Sequence, residues 1–127
     1  MTKQRLKFYR GLLYGLRLKC DSFYVDVKFR KAFRETVEYA SHLLPIGPGN
    51  LVPKIHIDPM FGTCYEAREM LLEGEQDLLL SFQGSRLQKA CFQITRDQAS
   101  QELEELMPHT ANVFRTLGSF LADRLTK

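Results

Sequence analysis

Four of the five prolines, Pro45, Pro48, Pro53 and Pro59, fall between Leu44 and Gly62. Each removes a backbone donor and pushes its predecessor out of the helical region, so no helix crosses this stretch. The segment LPIGPGNLVPKIHIDPMFG therefore separates two helical zones. Within it, LVPKIHI has the make-up of a short extended segment. So long a connection in a small domain usually wraps a surface or binds something. The 127 residues make one domain, large enough to bury a core. The 44% hydrophobic and 26% charged fractions are ordinary globular values, which disfavours wholesale disorder.

The N-terminal zone opens on RLKFYRGLLYGLRLKC, Arg5 to Cys20. At about 100° per residue, Tyr9, Leu12, Leu13 and Leu16 share one side of a helix, extended by Leu6. Lys3, Lys7, Arg10 and Arg17 gather on an adjoining side. No acid precedes Asp21. Six of the 18 basic residues lie before it, and the rest of the chain carries 12 basic to 15 acidic residues. Such an asymmetry marks a partner site or an address. An acid-free amphipathic start resembles a mitochondrial presequence. A second helix needs its apolar face, however, so the first helix is expected to be retained. In that second helix Phe29, Ala32, Phe33, Val37 and Ala40 recur at helical spacing, with Lys28, Arg30, Lys31 and Arg34 around them. Asp21 or Ser22 can cap it. The connection is short, so the two helices are expected to run antiparallel.

In the C-terminal zone Thr63 and Glu66 have capping-box spacing. The stretch CYEAREMLLEGEQDLLLSFQGSRLQKACFQI then reads as one helix, with Ala67, Leu71, Gly74, Leu78 and Phe82 on one side and Gly84-Ser85 ending or bending it. DQASQELEELM is an acidic helix stopped by Pro108. A last helix from about Thr110 carries Val113, Leu117, Phe120, Leu121 and Leu125. The expected fold is all-α: an antiparallel bundle of three long helices followed by C-terminal helical segments.

Catalytic and metal patterns do not emerge. His42, His56 and His109 lack the spacing of a zinc site, and Cys20, Cys64 and Cys91 form no C-x-x-C pair. GPGN at Gly47 to Asn50 lacks the lysine and helix of a phosphate loop, so it reads as a turn. Glu73, Glu75 and Asp77 read as a solvated face, because residues two apart on a helix do not converge. The densest apolar run, DLLLSF, is far below the roughly 20 residues of a membrane span.

The first two helices together resemble the LYR family of small mitochondrial proteins. In LKFYRGLL, Tyr9 and Arg10 match the family's Tyr-Arg, with Phe8 in place of the leucine. FRKAFRE supplies the downstream Arg-x-x-Phe element through Arg30 and Phe33. EAREMLLEGEQDL is similar to the third helix of the family's member in the membrane arm of respiratory complex I.

The resemblance implies an antiparallel three-helix LYR bundle over residues 1–94, with 44–62 as a proline-rich connection and 95–127 as a C-terminal helical extension. It implies a non-catalytic accessory subunit of complex I, peripheral on the matrix side of the mitochondrial inner membrane. The partner is the acidic mitochondrial acyl carrier protein, whose 4'-phosphopantetheine-linked acyl chain enters a tunnel between the helices. The implied contacts to the carrier are Lys7, Tyr9, Arg10, Arg17, Arg30, Lys31 and Arg34. The implied tunnel residues are Leu13, Phe29, Phe33, Leu71, Gly74 and Leu78. The alternative is an LYR-type assembly factor or a subunit of another mitochondrial complex, including an RNA-contacting ribosomal protein.

Overall fold

A computed structural model describes residues 3–44, 51–57, 59–60, 63–84 and 88–126. In chain order its elements are α1 (Lys3–Arg17), β1 (Ser22–Tyr24), α2 (Val27–Leu43), α3 (Tyr65–Gln76), β2 (Leu80–Gln83), β3 (Lys89–Phe92), α4 (Arg96–Leu106) and α5 (Ala111–Thr126). The chain is mostly helical, as its periodicity predicts. The expectation of a wholly helical chain needs amending, because a small antiparallel sheet of order β1-β3-β2 stands beside the helices.

Helix α1 lies at the centre. Tyr9, Leu12, Leu13 and Leu16 are buried as expected, and so are Phe8, Gly11, Tyr14 and Gly15. Burial on so many sides follows from its neighbours, since α3, α4 and above all α5 pack against it. Two glycines permit the closest of these approaches. A Cβ on Gly15 would stand 2.2 Å from the Phe114 carbonyl oxygen, and one on Gly118 would stand 2.1 Å from the Gly15 carbonyl carbon. The α1 and α5 backbones therefore touch where they cross.

The expected pairing of the first two helices gives way to a shared neighbour. Helix α2 packs mainly on α5, where the Tyr39 and Phe120 rings lie 4.7 Å apart and Arg124 pairs with Glu35 at 3.1 Å. The connection between α1 and α2 contains β1, whose pairing with β3 takes the chain away from a tight helical hairpin. Phe29, Ala32, Phe33, Val37 and Ala40 are all buried, so the predicted inner face of α2 holds. Its cap is Asp26, which accepts the Phe29 N–H at 2.9 Å. Ser22 belongs to β1 and Asp21 pairs with Arg17, so neither serves as the cap.

The long third helix expected from Cys64 to Ile94 is instead one helix and a hairpin. Helix α3 ends at Gln76, and Leu78 adopts φ 61°, a left-handed conformation that breaks helical hydrogen bonding. The run beyond it pairs as β2 with β3, Leu80 opposite Phe92 and Phe82 opposite Ala90. Beneath this sheet Phe23 stacks on Phe29 at 5.2 Å. The Thr63–Glu66 capping box is also absent: Cys64 occupies the cap position without a side-chain hydrogen bond.

Helix α4 starts at a capping box formed by Thr95 and Gln98. Helix α5 starts after Pro108, close to the predicted point. Its buried residues are Ala111, Phe114, Leu117, Gly118 and Leu121, a stripe rotated from the expected one, with Val113, Phe120 and Leu125 only partly covered. Residues of 95–127 share one core with α1 and α2: Leu103, Phe114, Leu117 and Leu121 are fully buried among them. No described helix is long and apolar enough to cross a membrane.

Candidate functional site

The stretch after the prolines is held to the start of α3 at one point. Ile57 bridges to Cys64, and the Tyr65 N–H donates to the His56 carbonyl at 3.1 Å. Glu66, in the first turn of α3, is fully buried. Its carboxylate accepts the His56 backbone N–H and lies 2.9 Å from the His56 ring Nδ1. A buried carboxylate needs such partners, because leaving it unpaired costs several kcal/mol. Glu66 is thus the clasp that holds the connection against the helix.

Beside the clasp opens a cleft of about 930 Å³. Its apolar lining includes Val25, Phe29, Ile57, Ala67 and Leu71, and its cations are Arg5, Arg30 and Arg68. The three long helices of the N-terminal two-thirds all reach it: α1 through Arg5, α2 through Phe29 and Arg30, and α3 through Ala67 and Leu71. Arg5 is engaged, with Glu69 at 3.3 Å. Arg30 and Arg68 form no ion pair with any described residue, so their charge is available to a ligand. An apolar lining beneath free guanidinium groups suits an amphiphilic anion.

The cleft also holds a thiol and an imidazole, but they do not form a nucleophile and its base. Cys64 is buried, and desolvation pushes its thiol above the ordinary range. Among the described residues no hydrogen bond links it to His56, whose ring is turned to Glu66. Thiolate chemistry needs the opposite environment. Among the described residues there is also no group of three or more His, Cys, Asp or Glu placed to hold a metal ion.

The residues expected to contact a carrier separate into two sets. Tyr9, Arg10 and Arg17 turn inward. The Tyr9 hydroxyl donates to Glu69 at 2.6 Å. Arg10 pairs with Asp77 and, at 3.5 Å, with Glu73. Arg17 donates to the Ile94 carbonyl at 2.6 Å, pairs with Asp21 at 2.8 Å and lies over the Phe92 ring. These three fasten α1 to α3 and to the sheet. Lys7 and Lys31 are exposed, and Arg30 and Arg34 are half-buried on α2.

The expected tunnel residues separate as well. Phe29 and Leu71 line the cleft. Leu13 and Phe33 are fully buried in the core, and Gly74 is packed so closely that an added Cβ would meet Leu80 at 2.7 Å and Leu13 at 3.0 Å. Leu78 is 76% exposed and lines nothing with them.

Sequence reading gives Glu66 a capping role, sets His56 aside as a metal ligand and says nothing of Arg68, so it does not join these three at one site. The signal for Glu66 was present: it lies one turn before Met70, on the buried side formed by Ala67, Met70, Leu71 and Gly74. An acid on that stripe must have a partner. No protein-family model, curated protein or solved structure matches the chain.

Proposed function

We propose that the protein is a non-catalytic accessory subunit of LYR type, which binds an acidic acyl carrier protein and anchors it to the membrane arm of mitochondrial respiratory complex I. The observation that carries this reading is the cleft, where Phe29 and Leu71 lie beside Arg30, which forms no ion pair with any described residue. The three-helix LYR arrangement enters the reading through α1, α2 and α3, all of which line that cleft, while α4 and α5 brace α1 from behind. The carrier docks on the α2 side, facing Arg30, Lys31 and Arg34. Its acyl chain enters the cleft and contributes about 0.8 kcal/mol per buried CH₂ before ordering costs. The exposed charges contribute only about 0 to 1 kcal/mol each, so they steer and orient.

The test is recovery of the carrier with the tagged protein from mitochondria. Arg30→Glu combined with Arg34→Glu should abolish it while the circular dichroism stays native. Arg10→Glu should instead disturb folding, since Arg10 faces Glu73 and Asp77. Undiminished recovery with the α2 double variant defeats the reading. Native gels identify the host: co-migration with complex I supports the stated assembly, and co-migration with ribosomal particles replaces it with the RNA-contacting alternative.

A further inference from the structure

The first strand leaves one edge of the sheet open. On its inner side the Asp21 carbonyl accepts the Phe92 N–H at 3.0 Å, and the Val25 N–H donates to the Gln88 carbonyl at 2.6 Å. Phe23 stands opposite Ala90 between these bonds. Antiparallel ladders alternate, so Asp21, Phe23 and Val25 address β3 while Ser22 and Tyr24 turn their backbone groups outward. The Ser22 N–H lies beside the Cys20 thiol. The Ser22 carbonyl and both backbone groups of Tyr24 form no backbone hydrogen bond with any other described residue. Along this edge runs a groove of about 340 Å³, walled on its far side by Ala122 and Leu125 of α5.

Charge selects the occupant. Lys19 and Lys28 line the groove, and neither pairs with a described acid. The one acid among the lining residues, Asp26, is occupied in capping α2. Lys89 adds a third cation over the Tyr24 ring, at 5.8 Å. The groove is therefore cationic, with an apolar wall beside buried Phe23.

We propose that the outer edge of β1 binds an extended acidic segment of a partner protein by strand addition. Main-chain bonds to Ser22 and Tyr24 fix its register. Because side chains alternate, an apolar residue rests between Phe23 and Leu125 while its acidic neighbours meet the lysines. This site is separate from the cleft between α2 and α3, and it does not depend on the carrier reading.

The probe is a fluorescent peptide of alternating Glu and Val, titrated against the full chain by anisotropy, with a Lys-Val peptide as counterpart. The Glu-Val peptide should bind, and it should slow hydrogen exchange at the Tyr24 amide. Lys28→Glu should weaken binding at least ten-fold, as should Tyr24→Pro, which removes the outward N–H at an edge where proline is tolerated. Arg30→Glu with Arg34→Glu should leave it unchanged. Equal binding of the Lys-Val peptide overturns the proposal, as does an unprotected Tyr24 amide in the unsubstituted protein. Protection of Tyr24 that depends on protein concentration without peptide assigns the edge to a second copy, which also overturns it.

Discussion

Tyr9 and Arg10 are neighbours in the sequence and both are used inside the molecule. Burial, and then the bond to Glu69, push the Tyr9 phenol above its ordinary range. Tyr9→Phe removes the shorter of the two donors to the Glu69 carboxylate, leaving Arg5, and should cost about 1 to 2 kcal/mol in urea unfolding, with helical content unchanged. Beside Arg10, burial and then Asp77 raise the Glu73 carboxyl above its ordinary value, with Arg10 opposing. A raised carboxyl stabilises the fold fully below its unfolded value and loses that contribution as pH rises through the folded one. Ionised Glu73 is therefore a net cost at neutral pH. Glu73→Gln should raise the melting temperature at pH 7, by the equivalent of less than about 1 kcal/mol, because the site is only partly closed to solvent. The advantage should shrink as pH falls and the native residue takes up its own proton. Thermal scans at pH 7 and at lower pH check the sign. The pairing of a tyrosine with an arginine on α1 is legible in the sequence. Their partners on α3, some 60 residues away, are not, because helical spacing says which way a side chain points and not what stands opposite.

The close crossing of α1 and α5 rests on Gly15 and Gly118. Gly118→Ala puts a methyl group into the Gly15 backbone, and neither helix can yield without losing its other contacts. It should cost about 3 kcal/mol or more despite alanine's better helix propensity, measured by chemical denaturation. Gly11 and Gly15 stand four residues apart on one helical side, a seam that the leucine periodicity of α1 does not reveal. Nor does it reveal the seam's partner in α5. At the end of α3 the conflict is local. Leu78 holds φ 61° with its side chain in solvent, a conformation costing a non-glycine residue about 1 to 2 kcal/mol. Leu78→Gly should raise stability by up to about 1 kcal/mol, read from the urea midpoint. The periodicity of Leu71, Gly74, Leu78 and Phe82 predicts continued helix. It fails because Leu80–Gln83 finds a strand partner in Lys89–Phe92, and pairing across a turn leaves little trace in a helical repeat.

At the scale of the molecule, residues 95–127 complete the structure, because α5 covers α1 and also supports α2. A chain ending at Ile94 should therefore lose its cooperative thermal transition, with near-ultraviolet circular dichroism reporting the loss of packing. A truncated chain that melts cooperatively would show that the N-terminal part folds alone. Local pattern alone marks which stretches are helical at α1, α2, α4 and α5, and it marks the buried side of α2 and part of that of α1. Those properties follow from local sterics and from the 3.6-residue repeat, which act within a few neighbours. Long-range packing sets the place of α5 between the first two helices and the pairing of 80–83 with 89–92, and it makes Arg10 and Arg17 fasteners while Arg30, beside a cleft, pairs with no described acid. Those outcomes depend on which surfaces fit when brought from distant parts of the chain. Steric fit at two glycines and the need to pair buried charge selected among faces that the sequence left equivalent.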